Sequence, residues 1–185
     1  MSHRARIALP PEAALSDAQR LAVAEVTAGK RGRVPGPMIA WLASPELARR
    51  AQALGEYVRY ETTLGPALSE LAILLTARHW TSHYEWIAHK KEALKAGVPP
   101  DVIADIAAHR MPPLATPAQR AVYDISRSLL DTRGVPDELY ARGVQDLGER
   151  GVVELVSVLG YYAFVSMTLN TFHIGAPDSV AEELL

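Results

Sequence analysis

The chain has 185 residues, of which 49% are hydrophobic and 22% charged, with a formal net charge of −2 and no cysteine. That length suits one domain with a sizeable core, and that balance excludes disorder as the ground state. The interspersed charges offer no basic footprint to a nucleic-acid backbone. The missing thiols exclude disulfides, iron–sulfur clusters, thiolate zinc sites and cysteine nucleophiles, so only oxygen and nitrogen chemistry remains.

The first residues are basic, but the chain reaches Pro10 and Pro11 without an apolar run of signal-peptide length, so a cytoplasmic protein is expected. From there the signals are helical. Ser16 caps a first helix that closes before Gly29. A loop with Pro35, Gly36 and Pro37 leads to a short helix over Met38 to Ala43, and Ser44-Pro45 opens a longer one through Val58 that ends at Gly65-Pro66. The fourth helix runs from Pro66 to about His79. Its Leu68, Leu71, Ile73, Leu74 and Leu75 cover more than one face, which places it centrally. A fifth helix follows from about Thr81 to Ala96, and a sixth from Pro99-Pro100 through Ala107.

Thr116-Pro117 starts a seventh helix through Leu130, Val135-Pro136 an eighth through Leu147, and Gly148 to Asn170 holds a long apolar ninth. Polar residues and glycine interrupt that last stretch, so it reads as a buried helix and no membrane partner is expected. One last turn is expected in the tail after Ala176. Helix following helix across short loops, with strand signals nearly absent, predicts a single all-α domain over 1–185.

Chemistry concentrates between Ser69 and His89, which holds three of the six histidines, two of the three tryptophans and two carboxylates. Ser82, Glu85 and His89 share one face of the fifth helix and can meet a common ligand. Glu70 lies one turn into an apolar helix, where a carboxylate needs a partner or suffers a raised pKa, and a histidine of the next helix would be that partner. Such a pair is a proton relay suited to decarboxylation, isomerisation or hydrolysis of small acids and lactones. The plainer account makes Glu85 and His89 an ordinary i, i+4 surface pair, worth only ~0.2–0.5 kcal/mol.

A metal site is not expected: the di-iron bundle pattern needs Glu-x-x-His, whereas this chain has a single Glu85-x-x-x-His89. Trp80, Tyr84 and Trp86 either line an apolar pocket or belong to the core, and Tyr161 and Tyr162 face the same choice. His79 and His109 end helices, where a cation offsets the C-terminal dipole.

The features Glu70, Tyr84-Glu85-Trp86-x-x-His89, Ala93 and Gly97 resemble the carboxymuconolactone decarboxylase-like superfamily, which includes the alkylhydroperoxidase D-like proteins. The closing helix, with Asn170-x-x-His173, resembles the decarboxylase branch. The resemblance covers about residues 40–173, leaving 1–39 as an N-terminal extension, and implies a helical bundle of about eight to ten helices. The peroxidase branch carries cysteines at the places that Ser82 and Glu85 occupy, with a histidine at the place of His89. A serine cannot pass through a sulfenic acid, so that activity does not carry over.

The resemblance implies a cofactor-independent homo-oligomer acting on a small cyclic carboxylate or lactone. In it His89, oriented by Glu70, works as general acid or base. Glu85 stabilises the imidazolium or passes the proton, and Ser82, His83, Trp86, Asn170 and His173 shape the substrate pocket. The alternative is a non-catalytic oligomeric protein of the same fold that binds a small ligand.

Overall fold

In the computed structural model, residues 4–175 and 183–184 are described, and within them every regular element is a helix. The last turn expected after Ala176 lies outside the described residues. After a single 3-10 turn at Glu12–Ala14, the helices are α1 (Asp17–Ala28), α2 (Met38–Trp41), α3 (Pro45–Tyr60), α4 (Gly65–His79), α5 (His83–Lys95), α6 (Pro100–Ala107), α7 (Pro117–Thr132) and α8 (Asp137–Phe172).

The boundaries follow from capping chemistry. Ser16 and Gln19 form a reciprocal capping box at the start of α1, and Thr116 and Gln119 do the same at α7. Prolines occupy the first turns of α3, α4, α6 and α7, where a missing N–H costs nothing. The expected eighth and ninth helices are one long element, α8, interrupted at Gly148, whose φ of 75° and ψ of 160° are non-helical. Glycine tolerates that conformation where any side chain would be strained, so the break expected there is local. The far end of α8 is finished by the N-terminal segment: Arg6 donates its backbone N–H to the Phe172 carbonyl and a guanidinium N–H to the Thr171 carbonyl, both at 2.9 Å.

α4 is the axis of the fold, buried continuously from Ser69 to Arg78 and packed against α3, α5, α6, α7 and α8. A helix apolar on every side has no solvent face to offer, so its neighbours must surround it. α8 is the one described helix long and apolar enough to cross a bilayer by composition, yet 61% of its most apolar window is buried inside the protein. It serves as a core wall: Leu155, Val158, Leu159, Tyr162, Val165 and Leu169 are each at most 2% exposed.

Glu154 fastens α8 to the turn between α3 and α4. Its carboxylate accepts from the Tyr57 hydroxyl at 2.8 Å, from the Thr63 backbone N–H and hydroxyl at 2.6 Å each, and from Arg150 at 2.9 Å. Burial works against the charge, but these donors outweigh it and hold the carboxyl down at about 2.

Candidate active site

α4 and α5 run side by side and press Glu70 against His89. The Glu70 Oε2 lies 2.7 Å from His89 Nδ1, and Glu85, one turn before His89 on α5, places its Oε2 3.2 Å from Nε2. All three are buried, at 6%, 3% and 4% exposure for Glu70, His89 and Glu85. Both ring nitrogens therefore face carboxylates, and the pair on α5 is not on the surface. Burial alone would pull the imidazole pKa down, but the charge and hydrogen bond of Glu70, then those of Glu85, raise it to about 9. At neutral pH the site holds an imidazolium between two acids.

The ring of Tyr162 from α8 stands edge-on to His89, 4.9 Å between centroids and 83° between planes. Burial pushes its phenol well above the ordinary range, so it remains a neutral hydroxyl, and that oxygen has no hydrogen-bond partner among the described residues. Tyr162 is thus part of the site's wall as well as of the core. Its contact with His89 leaves no spacing signature, because the two residues are brought together from distant helices.

The remaining expected residues are spread along α5 and the end of α8. Ser82 is fully buried at the start of α5, on the face that carries Glu85 and His89, and its Oγ has no hydrogen-bond partner among the described residues. His83 is half-buried. Trp86 is 1% exposed and belongs to the core, its indole N–H donating to Glu183 at 3.0 Å. Glu183 also accepts from Lys90, so this residue lies against α5. Asn170 is exposed and donates to the Trp80 carbonyl at 2.8 Å, tying α8 to the α4–α5 turn. His173 is half-buried in a left-handed conformation that ends α8. At His109 slight burial and the Arg78 and Arg127 charges hold the pKa below the ordinary value, which works against a cation there.

Glu70 also reaches open space. It is one wall of a cleft of about 410 Å³ formed with Arg59, Tyr60, Thr62, Pro66 and Glu92. Arg59 and Tyr60 carried no signal in the sequence, since both lie on the amphipathic α3 among other charged residues.

Residues 45–128 match the model of the carboxymuconolactone decarboxylase family, a span that contains Glu70, Glu85 and His89 and stops before α8. No curated protein matches the chain. Among solved structures, an uncharacterised peroxidase-related protein from Ralstonia eutropha JMP134, described as an alkylhydroperoxidase AhpD core, superposes with a TM-score of 0.78 at 20% identity, covering 99% of this chain and 96% of that one. A peroxidase-related protein from Silicibacter sp. TM1040 gives 0.76 at 16% identity, covering 95% and 92%. A protein of unknown function from Agrobacterium tumefaciens, a candidate antioxidant-defence AhpD, gives 0.67 at 20% identity, covering 75% and 95%. At these identities the likeness establishes the fold, and the chain's lack of cysteine removes the thiol chemistry that such names imply. The chain thus joins a match to the carboxymuconolactone decarboxylase family model over residues 45–128 to the fold of the AhpD-like structures, and it contains no cysteine.

Proposed function

We propose that this protein is an acid–base enzyme acting on a small cyclic carboxylate or lactone by decarboxylation, isomerisation or hydrolysis, with Glu70, His89 and Glu85 as its proton relay. The observation that carries this reading is the double carboxylate contact of one buried imidazole, at 2.7 and 3.2 Å. Because both ring nitrogens are occupied, His89 works through its neighbours, and Glu70, which borders the cleft, is the group that meets the substrate. When a reaction leaves a carbanion or enolate, Glu70 takes the proton from Nδ1 and passes it to carbon. His89 is then neutral and keeps its Nε2 proton toward Glu85, a proton entering from the cleft through Glu70 restores the imidazolium at Nδ1, and the reverse sequence removes a proton. The stored charge stays inside the protein, where the low dielectric strengthens each transfer. Ser82, His83, Trp86, Asn170 and His173 are assigned to the surroundings of this relay. The test is a panel of γ-carboxylated lactones and enol-lactones with the purified protein. Turnover is expected in the wild type and its loss in Glu70→Gln, while turnover unchanged in His89→Ala rejects the assignment.

The saturation of His89 by its own chain also fits a second reading, a non-catalytic oligomer that binds a small ligand. That reading predicts saturable binding, recovery of the ligand unaltered by mass spectrometry, and tolerance of Glu70→Gln. In either case copies of the chain associate through the outer face of α8, where Val153, Val156 and Met167 are 65%, 44% and 43% exposed and project from one side.

A further inference from the structure

The loop between α1 and α2 carries three basic residues, Lys30, Arg31 and Arg33, and disposes of them differently. Lys30 takes the nearby acids: its backbone N–H donates to Glu56 at 3.2 Å and its ammonium pairs with Glu61 at 2.9 Å. Arg31 turns the other way. Its Nε and Nη2 are closed off from solvent beside the Tyr161 hydroxyl, on which the Arg31 charge and hydrogen bond act, and neither meets a carboxylate among the described residues. Gly55 on α3 admits it, because a Cβ there would sit 2.8 Å from Arg31 Nη2 and overlap the Tyr161 hydroxyl. A neutral hydroxyl does not balance a guanidinium charge, so a partly buried arginine with no carboxylate beside it is stabilised by an anion that reaches its open side.

Arg31, Arg33 and Pro35 face Arg59, Tyr60 and Glu92 across a cleft of about 200 Å³. The Arg59–Tyr60–Glu92 edge is shared with the larger cleft that Glu70 borders, so the two are neighbours. Arg59 lies over the Tyr60 ring, 5.1 Å from its centroid, which holds the guanidinium without using its hydrogen-bond donors on a carboxylate. Among the described residues, neither Arg31 nor Arg33 nor Arg59 has a carboxylate oxygen within 4.0 Å. The acid on the shared edge, Glu92, is committed to Lys95 at 2.9 Å, and Glu70 is committed to His89. The clefts thus present unspent positive charge beside an acid–base group.

We propose that Arg31 and Arg59 form the receptor for an anionic group of the substrate, a carboxylate or a phosphate, and so hold its reacting carbon toward Glu70. The planar, multiply donating guanidinium suits such a group better than a point charge does. The inference rests on the acid–base reading of Glu70 and narrows it: the substrate is an anion, and a neutral lactone is a poor one. It also gives the N-terminal segment a task, because Arg31 lies outside the residues 45–128 that match the family, whereas Arg59 lies inside them.

The test is calorimetric titration of the whole chain with three probes on one γ-butyrolactone ring: the ring carboxylate, its methyl ester and a phosphate monoester. The carboxylate or the phosphate is expected to bind at least ~10-fold more tightly than the ester, and Arg31→Gln and Arg59→Gln each to weaken that anion ~10-fold while leaving the ester unchanged. Arg31→Lys is expected to fall between, since it keeps the charge and loses the fork. The tighter of the two anions identifies the source of the negative charge. Equal binding of acid, phosphate and ester, wild-type affinity in Arg31→Gln, or no heat from either anion overturns the proposal. Should Arg31→Gln fail to fold, the acid-to-ester ratio on the wild type decides alone. Anion binding that depends on Arg31 without any turnover keeps this inference and rejects the enzymatic reading. Turnover that treats ester and acid alike does the reverse.

Discussion

Glu70 on α4 grips His89 on α5 at 2.7 Å, in a place where the two residues are only 6% and 3% exposed. The contact fixes the relative register of the two helices that carry the site. It also settles the protonation of the imidazole, since an acid on each nitrogen favours the charged ring over the neutral one.

The first prediction concerns that charge. The His89 pKa in the folded protein is raised from 6.5 to about 9, so protonation stabilises the folded state. This contribution is complete below pH 6.5 and is lost as the pH rises through about 9. Thermal melts from neutral to alkaline pH are expected to show the wild type losing stability through that window and His89→Gln showing no such loss. Histidine NMR should report the titration directly, with a midpoint near or below 6.5 counting against it. Glu70→Gln is expected to destabilise by about 3 kcal/mol, because it removes one partner from a buried ion pair.

Glu154 supplies the opposite sign. Its carboxyl is lowered from 4.5 to about 2, so its contribution is complete above pH 4.5 and is lost as the pH falls through about 2. Glu154→Gln is expected to cost about 2 kcal/mol in urea unfolding at neutral pH, and to flatten the acid limb of the stability curve. An unchanged midpoint would mean that the four donors around this carboxylate contribute nothing net.

For the outer face of α8, light scattering on the purified protein is expected to give a mass of two or more chains. Val153→Glu places a charge where the side chain is 65% exposed in the single chain and is expected to yield monomer with an unchanged far-ultraviolet spectrum. A monomeric wild type rejects the proposed association.

Much of the helical architecture was readable from local chemistry. The capping boxes at Ser16–Gln19 and Thr116–Gln119, the first-turn prolines and the apolar run around Leu71–Leu75 each act within a few residues, which is the range over which sequence pattern is explicit. The same locality accounts for the break at Gly148, visible as a glycine between two helical patterns, although the structure continues α8 through it. Asn170 shows the opposite case. Its side chain spans back to the Trp80 carbonyl, a partner that no spacing rule reveals.

What the sequence determined by itself was the class of fold, the absence of thiol chemistry and the presence of an acid on one helix within reach of a histidine on the next. Periodicity, composition and a short motif are properties of neighbouring residues and survive without coordinates. Only the tertiary structure decided that Glu85 turns inward to the second ring nitrogen, that Tyr162 from α8 closes on the same ring, and that Arg31 passes over Gly55 toward Arg59. Those outcomes depend on how separate helices pack, and on which buried charges find a partner once water has been excluded.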